Sequence, residues 1–402
     1  MLATSLVCLL ASCGGDNGHS AFTNVPNSVV VGDFNGDGVM DIAEAATQQK
    51  DDGSSPDAGF ASIFLQSRSS VDTFSSGAHF ATGNNPSSIA AGDLTGAGSM
   101  DVAVANFLDG SVSVLLETAI ASGTFSPAVT TSVGGHPNEV VIADLNGDGR
   151  NDIVLADETA NAGRVVVLLQ DGTAIAHFGT PIALSTVDAV AGVTVGDLNG
   201  DGKPDIVAAT ADANGNNGHA VVFLQDAANP GTFLAASTFA GGAQPTAVKI
   251  VDIDGDGLPD IVASNAGPGT DGIGSAGVSV LLQDGANPGT FLAPVTYATQ
   301  SSSDALVVAD LNGDGKPDIV TANLGPSPTG SVSVLLQDPT RPGVLLSPVS
   351  YAGFGEPLGV AVGDIDKDGR PDIVVADGTT ATVMLQSATS AGAFQPGVQI
   401  GG

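Results

Sequence analysis

The segment DFNGDGVMDIAE, from Asp33 to Glu44, places oxygen-bearing side chains at alternating positions around two glycines. Carboxylate or amide groups stand at positions 1, 3 and 5, a glycine at position 6 and a glutamate at position 12, as in a known calcium-loop pattern. Ca²⁺ takes about six to eight hard oxygen ligands in a flexible cage. The segment therefore predicts a calcium site. Whether a helix or a strand follows the loop decides which type of calcium site it is.

The first nine residues of this segment recur along the chain. The seven copies read DFNGDGVMD, DLTGAGSMD, DLNGDGRND, DLNGDGKPD, DIDGDGLPD, DLNGDGKPD and DIDKDGRPD, and they begin at Asp33, Asp93, Asp144, Asp197, Asp252, Asp310 and Asp364, about 55 residues apart. At position 12 the other copies have no glutamate but Val104, Leu155, Ala208, Ala263, Thr321 and Val375. The loop is therefore followed by a strand and not by the exit helix of an EF-hand, and we interpret Glu44 as a strand residue.

Without a glutamate at position 12, the loop closes on the aspartate at position 9. Side-chain oxygens of positions 1, 3, 5 and 9 and the main-chain carbonyl of position 7 supply five ligands, and a bidentate aspartate or a water supplies the rest. The glycine at position 6 permits the tight turn. The predicted ligands are Asp33, Asn35, Asp37, Val39 and Asp41; Asp144, Asn146, Asp148, Arg150 and Asp152; Asp197, Asn199, Asp201, Lys203 and Asp205; Asp252, Asp254, Asp256, Leu258 and Asp260; Asp310, Asn312, Asp314, Lys316 and Asp318; and Asp364, Asp366, Asp368, Arg370 and Asp372.

The second copy departs from this pattern. It keeps Asp93 and Asp101 but has Thr95 at position 3 and Ala97 at position 5, so we expect it to be empty or very weak. Turn preference alone explains one or two acidic residues in a loop, but not three or four at fixed spacing. We therefore expect about six calcium ions, which would bring the net charge from −33 to about −21. Magnesium fits less well, because the cage is nearly all protein.

Short apolar runs surround each loop. A run such as AVVIA precedes it, a run such as DIVLAD follows it, and two further apolar segments complete the unit. Such runs, bounded by Gly, Asn, Asp and Pro, are typical of strands. Four antiparallel strands per unit in seven units predict an all-β, seven-bladed β-propeller, with the calcium-binding loops between the first and second strands of the blades. The third run ends in a residue that we interpret as blade packing, namely Gln66, Glu117, Gln170, Gln225, Gln283, Gln337 and Gln386.

The repeat containing DLNGDGKPDIV resembles the FG-GAP/VCBS repeat of the integrin α-subunit propeller and of many bacterial surface proteins. The resemblance covers about 95% of the chain. It implies a propeller with calcium-binding loops and a role in binding or adhesion at a surface. The Phe-Gly and Gly-Ala-Pro elements are reduced to GFGEP at residues 353–357, so integrin-type ligand recognition does not follow from it.

The N-terminal residues predict export. Residues 1–12 have the apolar stretch of a signal peptide, and Leu10-Ala11-Ser12-Cys13 resembles a bacterial lipobox, which implies lipidation of Cys13. An ordinary signal peptide with a chance cysteine is the alternative. Residues 13–20 then form a flexible tether and residues 21–402 the propeller. We expect an outer-membrane or cell-surface lipoprotein or a secreted protein, which meets a membrane only through its lipid.

The composition and the motifs exclude several classes of partner and of catalytic site. A net charge of −33 excludes nucleic acid and anionic lipid surfaces as partners. The five histidines have no zinc-site spacing, and no nucleophile elbow or phosphate-binding loop occurs, so we predict no catalytic residue and no organic cofactor. We expect a monomeric binding or adhesion module for a surface protein or glycan. The alternative is a calcium-dependent polysaccharide lyase or hydrolase, which would require a deep cleft with converging charged side chains.

Loop lengths indicate where binding occurs. The segments between the second and third strands, on the face opposite the calcium loops, vary in length. They are long at Thr47–Gly59, Ala211–Gly218 and Asn265–Gly277 and short at Asp377–Thr380. Variable loops on a rigid scaffold are a common place for ligand binding, although surface drift explains the same variation.

Overall fold

A computed structural model describes residues 22–50, 58–68, 70–120, 122–159, 163–212, 218–267, 276–299, 301–325, 330–378 and 381–400. Every helix or strand assigned in these ranges is a β-strand. The strands are β1 (Phe22–Gly32), β2 (Asp41–Lys50), β3 (Gly59–Phe64), β4 (Gln66–Ser67), β5 (Ser70–Phe74), β6 (Ala78–Ala81), β7 (Pro86–Gly92), β8 (Asp101–Asn106), β9 (Ser111–Leu115), β10 (Val129–Ser132), β11 (Pro137–Ala143), β12 (Asp152–Asp157), β13 (Arg164–Leu168), β14 (Ile182–Ser185), β15 (Ala189–Gly196), β16 (Asp205–Ala211), β17 (Gly218–Phe223), β18 (Ser237–Gly242), β19 (Pro245–Val251), β20 (Asp260–Asn265), β21 (Gly277–Leu281), β22 (Val295–Ala298), β23 (Ser302–Ala309), β24 (Asp318–Leu324), β25 (Gly330–Leu335), β26 (Val349–Phe354), β27 (Gly359–Gly363), β28 (Asp372–Ala376), β29 (Ala381–Met384) and β30 (Val398–Gln399).

These strands form seven four-stranded antiparallel sheets, one per sequence repeat. In chain order the sheets are β1-β2-β3-β6, β7 to β10, β11 to β14, β15 to β18, β19 to β22, β23 to β26 and β27 to β30, which we call blades 1 to 7. The short hairpin of β4 and β5 is an addition to blade 1. The predicted all-β, seven-bladed propeller is therefore confirmed.

The hydrophobic core lies between the blades. Seven clusters of buried side chains each combine residues of two adjacent blades. In the last of them, Val29 and Ile42 of blade 1 pack with Val374 and Val383 of blade 7. The first strands of neighbouring blades are in contact all round, including β1 with β27. Within the described ranges, all four strands of blade 7 come from its own repeat, so the ring closes by packing of complete blades.

The second strand of each blade is buried on both faces because it lies inside its sheet and between two neighbouring blades. In β12, Ile153 and Leu155 belong to the cluster with blade 2, whereas Val154 and Ala156 belong to the cluster with blade 4. This alternation follows from the two-residue period of a strand. It explains why the sequence of this strand is a continuous apolar run.

Two details differ from the sequence-based expectation. Strand β2 continues to Lys50, because β1 begins at Phe22 and pairs with it, so Thr47 belongs to a strand and not to the predicted loop. The fourth strand of a blade is preceded by a pairing that was not predicted, a single bridge such as that of Gln283 with Phe291. The predicted signal peptide, Cys13 and the tether lie outside the described residues.

Candidate metal centre

The first acidic loop connects β1 to β2, and its side chains accept hydrogen bonds from its own main chain. Asp33 accepts the N–H groups of Asp37 at 2.9 Å and Gly38 at 2.7 Å. Asn35 Oδ1 accepts the N–H of Asp37 at 2.9 Å, and Asp37 Oδ1 accepts that of Val39 at 2.9 Å. Gly38 has a φ of 80°, a conformation that glycine adopts without strain. The loop thus holds three oxygen-bearing side chains turned towards its own backbone.

The aspartate at position 9 is the first residue of the second strand and is buried. In blade 1, Asp41 Oδ2 accepts the N–H of Phe34 at 2.9 Å and Oδ1 accepts the N–H of Gln66 at 2.7 Å. Equivalent bonds occur in all seven loops. Burial raises the pKa of Asp41 to about 6, the charge of Asp37 adds to this, and the main-chain N–H groups of Gln66, Phe34 and Asn35 oppose it. A nearby cation would stabilise the ionised form that burial disfavours.

Two loops bring three carboxylates together. Asp252, Asp254 and Asp260 each offer an oxygen within 4.8 Å of the others, and so do the equivalent residues of the seventh loop, Asp364, Asp366 and Asp372. Both loops have aspartate at position 3. Burial raises the pKa of Asp254, and the charges of its neighbours at positions 5 and 1 add to this. These clusters have the hard oxygen donors that a divalent cation requires.

The third, fourth and sixth loops, which begin at Asp144, Asp197 and Asp310, repeat the hydrogen-bond pattern of the first with asparagine at position 3. Their donor sets also fit a cation. The sequence analysis did not anticipate that the arginine at position 7 would contact the aspartate at position 5. Arg150 Nη2 lies 2.5 Å from Asp148 Oδ2, and Arg370 pairs with Asp368 in the same way. In these two loops a cation would share that carboxylate with a guanidinium group.

The second loop is closed by hydroxyl groups. Thr95 Oγ1 donates to Asp93 Oδ1 at 3.0 Å and lies 2.8 Å from Ser99 Oγ. Ser99 Oγ in turn lies 3.3 Å from both carboxylate oxygens of Asp101. The hydroxyl groups of Thr95 and Ser99, each with one proton to donate, thereby fill the space between the two carboxylates, and Ala97 adds no oxygen. This loop does not fit a divalent cation, and the role of Ser99 was not foreseen from the sequence.

The glutamine two residues after the third strand joins the acidic loops of two blades. The Gln283 main-chain N–H donates to Asp260 Oδ1 at 2.7 Å. Its side-chain Nε2 donates to the carbonyl of Leu198 in blade 4 at 2.9 Å and to that of Pro259 at 2.6 Å. Its Oε1 accepts the N–H of Gly289 at 3.2 Å. The bond to the preceding blade recurs at Gln66, Gln170, Gln225, Gln337 and Gln386. This geometry agrees with a packing role.

Blade 2 departs here as well. Glu117 cannot donate, and its Oε1 instead accepts the N–H groups of Ser122 at 2.5 Å and Gly123 at 3.0 Å. The N–H of Gly123 also lies 3.1 Å from the carbonyl of Phe34, the loop carbonyl that a glutamine would have reached. The main chain thus replaces the missing side-chain donor.

Glu44 lies in β2, opposite Ser62 of β3, and is 5% exposed. Burial raises the pKa of Glu44 to about 7, and a hydrogen bond with Ser62 lowers it. The interpretation of Glu44 as a strand residue is therefore confirmed. Its match to position 12 of a calcium loop is a coincidence of sequence.

Comparison with protein families supports the repeat assignment. The FG-GAP-like repeat matches residues 93–155, 144–208, 197–263, 270–321 and 310–375, and the FG-GAP repeat matches residues 25–64. No curated protein sequence matches the chain significantly.

Solved structures share the fold at low sequence identity. A candidate 6-phosphogluconolactonase from Bacteroides uniformis has a TM-score of 0.58 and 14% identity, over 90% of this chain and 97% of that one. A Lactobacillus plantarum protein has a TM-score of 0.55 and 14% identity, over 86% and 94%. BBS1N, in complex with ARL6DN, has a TM-score of 0.52 and 12% identity, over 89% and 91%. In the described part of the chain, no helix is long and apolar enough to cross a membrane.

Proposed function

The chain belongs to the FG-GAP repeat family, and on that basis we propose that it is an exported propeller, stabilised by about six calcium ions, that binds a surface protein or glycan. The observation that carries the calcium proposal is the donor set of six loops, five of which repeat the arrangement of the first. In the fifth and seventh loops this set includes three carboxylates within 4.8 Å of one another. The hydroxyl-linked second loop is the exception.

The residues that would hold each ion are those at positions 1, 3, 5 and 9, with the carbonyl of position 7. A bound ion would supply positive charge to carboxylates that the fold crowds together. The residue at position 2 supports a structural role, because its side chain is buried between blades, as Leu198 and Ile253 illustrate. Its carbonyl also accepts the bond from the next blade's glutamine. Ordering the loop would therefore strengthen contacts between blades.

The opposite face is the proposed binding surface. The loops after the second strands lie at the far end of each blade from the acidic loops, because β1, β2 and β3 are antiparallel. Among the second and third strands that the structure describes, β20 and β21 are separated by the largest number of residues. Strand β20 ends at Asn265 and β21 begins at Gly277. The likeness to a candidate lactonase shows the fold alone, at 14% identity.

The test of the binding function uses the calcium-loaded protein on a glycan array and in pull-downs from cell-surface extracts. A variant with residues 268–275 replaced by two glycines shortens the segment between β20 and β21. Its matched control, Asp171→Asn, changes an exposed residue near the acidic loops. We expect the loop variant to lose the captured ligand at unchanged melting temperature, and the control to keep it. Degradation of a polysaccharide without stable capture would contradict the proposal and favour the lyase or hydrolase.

Localisation is tested separately. If Cys13 is lipidated, the wild-type protein should partition with membranes, and Cys13→Ser should release it or leave it unprocessed. A wild-type protein that is entirely soluble, with an N-terminus other than residue 13, would contradict the anchor.

A further inference from the structure

The central channel of the propeller has a polar entrance on the face opposite the acidic loops. The first strand of each of blades 1 to 6 contains a β-bulge, seen as a register shift between residues such as Pro26 and Ser28. The bulged residues are Asn27, Ser87, Asn138, Ala191, Thr246 and Asp304, and all of them line a central cavity of about 730 Å³. Bulges re-aim side chains and often occur beside functional sites.

Most hydrogen-bond donors of this entrance are already used. Asn27 Nδ2 donates to the carbonyl of Pro86 at 2.6 Å, and Ser87 Oγ to that of Pro137 at 2.9 Å. Asn138 Nδ2 donates to the carbonyl of Ala191 at 2.8 Å, and Thr246 Oγ1 to that of Ser303 at 2.7 Å. Each bond joins a blade to the next one. Asn27 Nδ2 also donates to Thr47 Oγ1 at 3.0 Å, so the groups left over for a ligand are one N–H of Asn138 and the amide oxygens of the two asparagines.

Asp304 differs from the other bulged residues, because an ionised carboxylate cannot donate to the next blade. Within the described ranges, no hydrogen bond or ion pair engages it. Burial raises the pKa of Asp304 to about 6, and the charge of Glu158 adds to this. Asp304 is half-buried, and the fold thus places a carboxylate at the channel without a protein partner, where a cationic ligand would gain a charge-assisted hydrogen bond.

The cationic side chain among the described residues of the cavity does not fill this role. Lys249 Nζ lies 3.2 Å from Glu139 Oε1, and Glu139 Oε2 accepts the N–H of Val193 at 2.8 Å. Gly192 lies close to both neighbouring blades, because a Cβ there would lie 2.8 Å from the carbonyl oxygen of Thr246 and 3.0 Å from Glu139 Oε2. Lys249 and Glu139 neutralise each other, and Asp304 leaves the cavity lining with one net negative charge.

The remainder of the lining is largely apolar. Val30, Val141 and Val307 of three different blades contribute to it, along with alanine, isoleucine and leucine residues. A calcium ion would find too few oxygens in these surroundings. A sugar fits less well, because its hydroxyl groups would lie against apolar side chains. Phe107 is the aromatic residue that the described lining offers for stacking. A cationic head on a short aliphatic chain matches the carboxylate, the amide acceptors and the apolar wall together.

We propose that the central channel binds a primary alkylammonium group, with its charge at Asp304 and its methylene chain against the apolar wall. Two sources offer this chemistry, a free aliphatic diamine and a lysine side chain of a partner protein. The site is separate from the acidic loops, which lie at the other end of the first strands.

The test is calorimetric titration of the full-length, calcium-supplemented protein with cadaverine, with Nα-acetyl-lysine amide and with neutral 1-pentanol. We expect at least one of the amines to bind and the alcohol not to bind. Asp304→Asn should weaken amine binding about 10- to 100-fold, the effect of removing one charged hydrogen bond. Asp171→Asn, which alters an exposed carboxylate outside the channel, should leave it unchanged.

The pattern of binding separates the two sources. Cadaverine binding indicates a free diamine, whereas binding of the lysine derivative alone indicates a protein side chain. Melting temperatures of both variants control for misfolding, and Asp304→Ala provides a second variant if Asp304→Asn is unstable. Equal amine binding by wild type and Asp304→Asn would overturn the proposal. So would comparable binding of pentanol, or no binding of either amine at 10 mM or below.

Discussion

Replacing Gln283 by methionine should destabilise the propeller by separating two adjacent acidic loops. Gln283 is 5% exposed, and methionine preserves its length while removing its polar atoms. The carbonyls of Leu198 and Pro259 lose their donor, and the N–H of Gly289 loses an acceptor at 3.2 Å. Each buried group left without a partner costs about 1–3 kcal/mol. Because carbonyls tolerate this better than N–H groups, the expected loss is about 2–5 kcal/mol in the free energy of unfolding.

The assay is urea unfolding followed by far-ultraviolet circular dichroism, since the chain has no tryptophan. It is run in calcium and again in EDTA, so that any change in metal affinity is separated from the lost hydrogen bonds. Glu117→Gln is the matched control, because the main chain of Gly123 already serves the carbonyl of Phe34 there. This control should change the free energy of unfolding by less than about 1 kcal/mol. A loss below about 1 kcal/mol for Gln283→Met in both conditions would refute the interblade role.

Three further predictions follow from individual sites. Ala176 has a φ of 48° where the equivalent Gly231 has 77°. Ala176→Gly should therefore stabilise the protein by about 0.5–1 kcal/mol in urea unfolding, and Gly231→Ala should destabilise it. Changes of the same sign in the free energy of unfolding of the two variants would contradict this prediction. Burial raises the pKa of Glu44 to about 7. The protonated carboxyl therefore contributes its full stability at a pH below the pKa of Glu44 in the unfolded chain, and this contribution is lost as the pH rises through 7. Glu44→Gln should accordingly be more stable than wild type at pH 8, by up to about 3 kcal/mol, and lose this advantage near pH 5, whereas a pH-independent difference would contradict the burial argument. The second loop can be rebuilt with the substitutions Thr95→Asn, Ala97→Asp and Ser99→Lys. Calorimetric titration should then show about seven calcium ions per chain in place of about six. An unchanged number of ions would show that these side chains do not control occupancy of the loop.

The fold was predictable because one pattern recurs seven times in register. A motif such as DLNGDGKPD next to an apolar run defines a loop followed by a strand, and the count of repeats sets the number of blades. The place of Asp41 at the end of the loop and the start of β2 follows from the same reasoning. Local order and period were therefore accessible without coordinates.

Contacts between repeats were not accessible in this way. The bond from Gln283 to Leu198 spans 85 residues and depends on how two blades pack. The hydroxyl bridge through Ser99 depends on loop geometry, because position 7 had been considered only for its carbonyl. The exposure of Asp304 to the channel depends on a bulge, which is defined by the register of two strands and not by one sequence. Long-range packing and register therefore account for what the sequence analysis missed.

The central claim is that calcium holds the propeller together, and thermal unfolding with and without calcium tests it most directly. An ion that binds only the folded state stabilises it by about 2.7 kcal/mol when free calcium is about a hundred times its dissociation constant. Six such ions would contribute on the order of 16 kcal/mol, comparable to the stability of a whole domain. The account predicts that EDTA lowers Tm by tens of degrees or unfolds the chain, that added calcium restores it, and that replacing Asp252, Asp254 and Asp256 by alanine reproduces about one ion's share of the loss. An EDTA-treated protein that melts at the same temperature as the calcium-loaded protein would contradict it.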